Sequence, residues 1–144
     1  MGRGVGRSLI HVACVVALAL AATGSARGDD AGTGATHATM TCERVDGPGR
    51  VRCDVEARVA PGESIQWGDV VITRTPAFAS ALRGRIGPQD ATARDAEAWR
   101  WALALVARER GSGDVEGRVR LVVCRAAACA TREVPMVGRV VVGG

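Results

Sequence analysis

The chain has 144 residues, with 19 basic residues that are all arginine, 15 acidic residues and a formal charge of +4. So even a balance supports no dedicated nucleic-acid surface. With no tyrosine, Phe78 alone and only Trp67, Trp99 and Trp101, stacking platforms for bases or sugars are scarce.

The elements are clear from the first residue onward. Arg3 and Arg7 precede an apolar run from Leu9 to Ala22, and the small residues Gly24, Ser25 and Ala26 follow. Basic, apolar and small-residue regions in that order predict a secretory signal peptide over residues 1–26, cleaved after Ala26. The apolar run falls short of the roughly 20 residues that span a bilayer, and no second one of that length follows. Cys14 is a small hydrophobe discarded with it. The expected product is exported, periplasmic or secreted, with no membrane span once the signal is removed. Losing Arg3 and Arg7 leaves seventeen arginines against all fifteen acids, so the mature chain is nearly neutral.

Residues 27–37 are Gly, Ala, Thr and Asp without periodicity and predict a flexible leader. It ends at His37, the one histidine left after the signal and most simply a solvated residue. A serine triad or a histidine-based zinc site is therefore excluded. Residues 38–144 form one domain.

From Val51 to Val59, apolar Val51, Cys53, Val55, Ala57 and Val59 alternate with Arg52, Asp54, Glu56 and Arg58, the pattern of a strand buried on one face. Asp46-Gly-Pro-Gly49 is the turn before it. Folding the chain about that turn sets Cys42 opposite Cys53, Met40 opposite Val55 and Ala38 opposite Ala57. On the other face Glu43 meets Arg52 and Thr41 meets Asp54. A structural Cys42–Cys53 disulfide on the core side follows from this register.

Ala60-Pro-Gly-Glu-Ser64 is a further turn and Ile65–Arg74 a further strand. Between Thr75 and Asp95, Pro76, Gly84, Gly87 and Pro88 predict a loop, with a short strand or helical turn around Phe78–Leu82. Over residues 95–110 the composition suits a helix, but Trp99, Trp101, Leu103 and Leu105 alternate with Arg100, Ala102, Ala104 and Val106. The strand reading is preferred, with both tryptophans in the core. Asp95 and Glu97 belong to a charged loop rather than an acid/base pair. Gly111-Ser-Gly-Asp114 predicts the next turn, Val115–Cys124 a strand and Arg132–Val142 the last. Pro135 marks that last strand as an edge, because proline donates nothing to a central ladder. About seven short strands with no long helix predict an all-β fold, a small antiparallel immunoglobulin-like β-sandwich.

Four cysteines in an exported chain imply two disulfides, the second being Cys124–Cys129. Export and the core-facing first pair argue against metal binding, and neither a metal nor a cofactor is expected. Cys124 shares its strand face with Arg118 and Arg120, and Arg125 is adjacent. Cys124 is therefore expected to be the more exposed cysteine, with a stabilised thiolate. On the residues alone the pair fits two roles. It is a staple at a hairpin tip, or a redox pair.

Trp99-x-Trp101, the glycine-containing segment, Val115-Glu-Gly-Arg-Val-Arg-Leu-Val-Val-Cys124, a second cysteine at 129 and a Val-rich last strand resemble the N-terminal domain of the DsbD-type transmembrane thiol–disulfide interchange proteins. The resemblance covers about residues 98–142. It implies an immunoglobulin-like periplasmic domain in which Cys124 and Cys129 are the catalytic redox pair, relaying reducing equivalents to partner oxidoreductases. The competing expectation is a non-enzymatic, disulfide-stapled binding module that meets a periplasmic or extracellular protein through its loops or the Pro135 edge.

Overall fold

The computed structural model describes residues 35–144. The expected signal peptide and all but the last three residues of the expected leader lie outside the described residues. The first ladder has the register that the alternation predicts. β1 (His37–Cys42) pairs antiparallel with β3 (Gly49–Arg58), placing Ala38 on Ala57, Met40 on Val55, Thr41 on Asp54 and Cys42 on Cys53. β1 thus begins at His37, which pairs with Arg58 instead of ending a leader. The turn is longer than the sequence suggests. After Glu43, whose N–H still bonds the Arg52 carbonyl, the chain leaves this sheet, and β2 (Arg44–Val45) joins the opposite one.

β4 (Ser64–Arg74) and β8 (Ala98–Ala107) follow the expected strands, and the strand reading of residues 95–110 holds. Its period of two puts Trp99, Trp101, Leu103 and Leu105 against β3, with Trp101 and Leu105 fully buried. The Trp101 indole N–H donates to the Gly87 carbonyl at 3.1 Å, which satisfies the ring's one polar group. Residues 75–95 are more ordered than the expected loop. They hold β5 (Ala79–Ala81), β6 (Arg85–Ile86), a 3-10 turn (Pro88–Asp90) and β7 (Ala91–Arg94). Prolines and glycines interrupt pairing there without abolishing it, because each piece is only two to four residues long.

β9 (Gly111–Arg125) and β10 (Ala128–Val142) form a hairpin of fifteen register pairs. One sheet carries β1-β3-β8-β5, with β7 also on β8, and the other β2-β10-β9-β4-β6. The order β1-β3-β8-β7 against β10-β9-β4, with β6 beyond, matches the ABED-against-GFC order of immunoglobulin-like sandwiches with an extra C′ strand. β2 runs parallel to the end of β10, so the first strand is shared between sheets. The protein is an antiparallel immunoglobulin-like β-sandwich. Its core is Val51, Cys53, Val55 and Ala57 from one sheet facing Val70, Val119, Leu121 and Val140 from the other, with Trp101 between them. No described helix is long and apolar enough to cross a membrane.

Gly111-Ser-Gly-Asp114 is not a turn. The reversal falls at residues 108–110, and Gly111 and Gly113 lie inside β9 opposite the buried Val142 and Val140. They serve close packing. A Cβ on Gly111 would stand 2.7 Å from the Phe78 ring, and one on Gly113 2.7 Å from Pro76. The segment before β5 therefore lies on bare backbone at this end of the sandwich.

The Gly111→Ala variant should lose about 1–3 kcal/mol of stability, as overpacked sites do. In a Phe78→Ala background the same change should cost markedly less, and urea unfolding of the double-mutant cycle measures that coupling.

Candidate functional site

The second disulfide sits at the turn end of the β9–β10 hairpin. Arg125 pairs with Ala128 and Cys124 with Cys129, so only Ala126 and Ala127 make the turn. Ala126 adopts φ 51°, a left-handed conformation that a side chain disfavours by roughly 1–2 kcal/mol. The pair is directly cross-strand, with Cα atoms 4.0 Å apart. Cys42–Cys53 is built alike, at 3.9 Å. The Glu43 N–H donates to the Arg52 carbonyl at 2.9 Å, so the neighbouring Cys42–Cys53 pair is of the narrow, non-hydrogen-bonded type.

Access distinguishes the two bonds. Cys53 is fully buried and Cys42 half-buried against the core, which makes this disulfide an internal staple. At the hairpin, Cys124 is 9% exposed while Cys129 is exposed. The expectation that Cys124 would be the open cysteine is therefore reversed. Its strand is central, flanked by both β4 and β10, and Ser64 of β4 lies directly opposite it. Cys129 lies on β10, which among the described residues has no strand on its other side at this point, because β2 reaches only Val141 and Val142.

Arg125, next to Cys124 in the chain, also faces a carboxylate. Ala60-Pro-Gly-Glu63 is a turn closed by Glu63 N–H to Ala60 carbonyl at 3.0 Å, with Gly62 at φ +82°, the conformation a type II turn demands at that position. The turn delivers Glu63 to the hairpin, 8% exposed. Arg132 of β10 grips its carboxylate through two nitrogens, each at 2.7 Å, and Arg125 of β9 stands at 3.6 Å. Arg132 also donates to the Thr36 hydroxyl. Hydrogen bonds from Arg132 hold the Glu63 carboxyl at about 2, helped by the Arg132 charge, the Ala60 N–H and Arg125, against the opposing effect of burial. The positive charge beside Cys124 is thus partly neutralised, and a non-covalent clamp reinforces the end of the hairpin that the disulfide closes.

A second acid occupies the outer face of the same sheet. Asp69 of β4 is fully buried, and Arg120 and Arg85 cover it, Arg120 through Nε at 2.8 Å and Arg85 through Nε at 2.6 Å. Burial alone would push its carboxyl up, but the two guanidiniums outweigh that and the net displacement is downward. Sequence reasoning passed over Glu63, Asp69 and Arg132. The one available signal was a lone aspartate amid Val70, Val71 and Ile72, which demands partners if the strand is central.

Asp95 caps the start of β8, accepting from the N–H groups of Glu97 and Ala98 at 3.0 and 2.7 Å, a turn role. Trp99 and Trp101 are core residues at 6% and 0% exposure. Among the described residues, no group of three or more His, Cys, Asp or Glu side chains is arranged to hold a metal.

The fold and site together define a disulfide-stapled immunoglobulin-like module of the kind found outside the reducing cytoplasm. No protein-family model matches the chain, and no curated protein matches it. Among solved structures, BslA, a bacterial hydrophobin, is similar at 7% identity and TM-score 0.41, over 78% of this chain and 98% of that one. The seventh ScaB type I cohesin from Pseudobacteroides cellulosolvens is similar at 13% identity and TM-score 0.38, over 74% and 92%. The ASH/PapD-like domain of human CEP192 is similar at 8% and 0.36, over 96% and 99%. Likenesses this slight carry no argument, and the topology stands on the ladders above.

Glu63 yields a pH test. A carboxyl held low in the folded state contributes stability that is fully present above its ordinary value of 4.5 and lost as pH falls toward about 2. Glu63→Gln should lower the melting temperature at pH 7 and flatten its decline between about pH 4.5 and 2. Thermal unfolding across that range, for both proteins, measures the difference.

Proposed function

We propose that this domain takes part in thiol–disulfide exchange outside the cytoplasm, after export through residues 1–26, with Cys129 meeting the partner and Cys124 resolving. The carrying observation is the exposed Cys129 at the end of a hairpin that does not need its disulfide. Fifteen register pairs and the Glu63–Arg132 clamp hold β9 to β10. A loop of six residues adds only roughly 2 kcal/mol in the chain-entropy model. The bond can then open and close while the fold persists, which exchange requires and a staple does not.

In the reducing direction a partner thiolate attacks Cys129 Sγ, the S–S bond breaks, and its electron pair leaves with Cys124 Sγ. A mixed disulfide joins the partner to Cys129. A second partner thiol then releases it, so two thiols become one disulfide and the protein takes up two electrons and two protons. The resemblance of residues 98–142 to the N-terminal domain of DsbD-type proteins supports the same pair in the same role.

A second reading has its own observation. The outer edge of β10 has no strand partner from Ala128 to Val140 among the described residues, and an extended segment of a protein partner adding there would make this a non-enzymatic binding module.

A graded glutathione series separates the two. Structural disulfides of exported proteins have potentials below about −300 mV. The 124–129 bond should open well before the 42–53 bond, as assigned by thiol labelling and mass spectrometry. A Cys124→Ser variant should trap a partner oxidoreductase through Cys129. Equal resistance of both bonds, with nothing trapped, would leave the binding module.

A further inference from the structure

The outer face of the β10-β9-β4 sheet carries a cationic pair beside the disulfide. Cross-strand register sets its rows. Ser64, Cys124 and Cys129 form one row, Trp67, Val122 and Thr131 the next, and Asp69, Arg120 and Glu133 the third. Successive rows lie two residues apart on β9 and β10, about 7 Å along the strand, and a bulge in β4 adds a third residue between Ser64 and Trp67. A groove of about 500 Å³ lies over the second and third rows, walled by Trp67 and Val122 and bordered by Arg85 and Arg120.

Its electrostatics come from one buried carboxylate with two guanidiniums. Asp69 is fully buried, while the side chains of Arg85 and Arg120 remain 60% and 36% exposed. Two positive charges on one negative leave the cluster net cationic. Arg85 reaches Asp69 only through Nε, so its terminal nitrogens remain available to donate. Arg120 uses Nε and one terminal nitrogen, which leaves the other. Asp69 thus fixes two guanidiniums side by side, with spare donors on partly exposed side chains. Fixed forks of this kind suit a planar carboxylate. Glu133 lines the same groove and its charge reaches Arg120, but Arg118 at 3.1 Å offsets that carboxylate, so the group as a whole stays net cationic.

We infer that Arg85 and Arg120 form a carboxylate-binding site, and that this site selects carboxylate-bearing low-molecular-mass thiols as reactants of the neighbouring Cys124–Cys129 disulfide. The second half rests on the exchange reading above. A ligand carboxylate held by the guanidiniums of the third row, with its body against Trp67 and Val122, lies about 14 Å along the strand from the first row. An extended tripeptide of about 10 Å closes that gap only together with the reach of the arginine side chains. The reaction is the exchange already written, with two such thiols oxidised to their disulfide and the protein disulfide reduced to two thiols.

The test compares glutathione with its dimethyl ester, at equal thiolate concentration, in the rate of opening of the 124–129 bond. Glutathione should be about 10-fold faster at low salt, within the range of electrostatic steering. The ratio should fall toward one in Arg85→Met and in wild type at 1 M salt, where the Debye length shrinks to about 3 Å. Arg100→Met, on the outer face of the other sheet, should leave it unchanged. S-methylglutathione, which cannot exchange, should bind the oxidised wild type by calorimetry and bind Arg85→Met at least about 10-fold more weakly. A wild-type ratio near one with no S-methylglutathione binding overturns the site and leaves exchange standing. Binding that depends on Arg85, with a bond that no thiol opens, keeps the carboxylate site and removes both thiol selection and the exchange reading. The salt titration needs no variant, so a misfolded Arg85→Met would not blunt the outcome.

Discussion

The β9–β10 ladder is the interaction on which the rest of this structure depends. Its alternation commits Val115, Val119, Leu121 and Val123 to the core and sends Arg118, Arg120, Val122 and Cys124 to the opposite face. β4 then pairs on the far side of β9 and brings Asp69 beside Arg120 and Ser64 beside Cys124. A slip of one residue would expose the apolar set and bury the arginines, so burial itself fixes the register. Every group at the candidate site inherits its position from that one choice.

Two acids and four arginines show how such a sheet tolerates charge. Glu63 and Asp69 are both withdrawn from water, and a lone buried carboxylate would be costly. Each is held by a pair of arginines, Arg132 with Arg125 and Arg120 with Arg85. The planar fork of arginine makes two hydrogen bonds to one carboxylate, as Arg132 does to Glu63, where lysine would offer a point charge. The arrangements differ in result. The Glu63 clamp spans two strands and a turn and locks the end of the hairpin, whereas the Asp69 pair leaves donors facing solvent.

The two disulfides share cross-strand geometry and differ in surroundings. Cys42 and Cys53 join β1 to β3 over the core, so water and partners reach them poorly. Cys124 and Cys129 join strands already tied along their whole length, and one of those strands is an edge. Similar bonds in different settings differ in access, and exchange would need an approach path to a sulfur. Position in the sheet, rather than cysteine spacing, separates them.

Local pattern alone determined the all-β class, the β1–β3 register, the Cys42–Cys53 pairing, the strand at 98–107 with its buried tryptophans, and the edge character of the Pro135 strand. Each follows from a period of two, from turn chemistry or from a missing N–H, all of which are properties of neighbouring residues. Tertiary structure decided the rest. Gly111 and Gly113 read as a turn because glycine signals turns, yet the folded chain uses them to admit Phe78 and Pro76, which lie more than thirty residues earlier. The exposure of Cys129 and the burial of Cys124 depend on which strand gained a second neighbour, and Glu63, Asp69 and Arg132 found their roles only when three strands converged. Alternation states which side of a strand faces the core, but which strand lies at the edge and which charges meet are set by the pairing of segments distant in the chain.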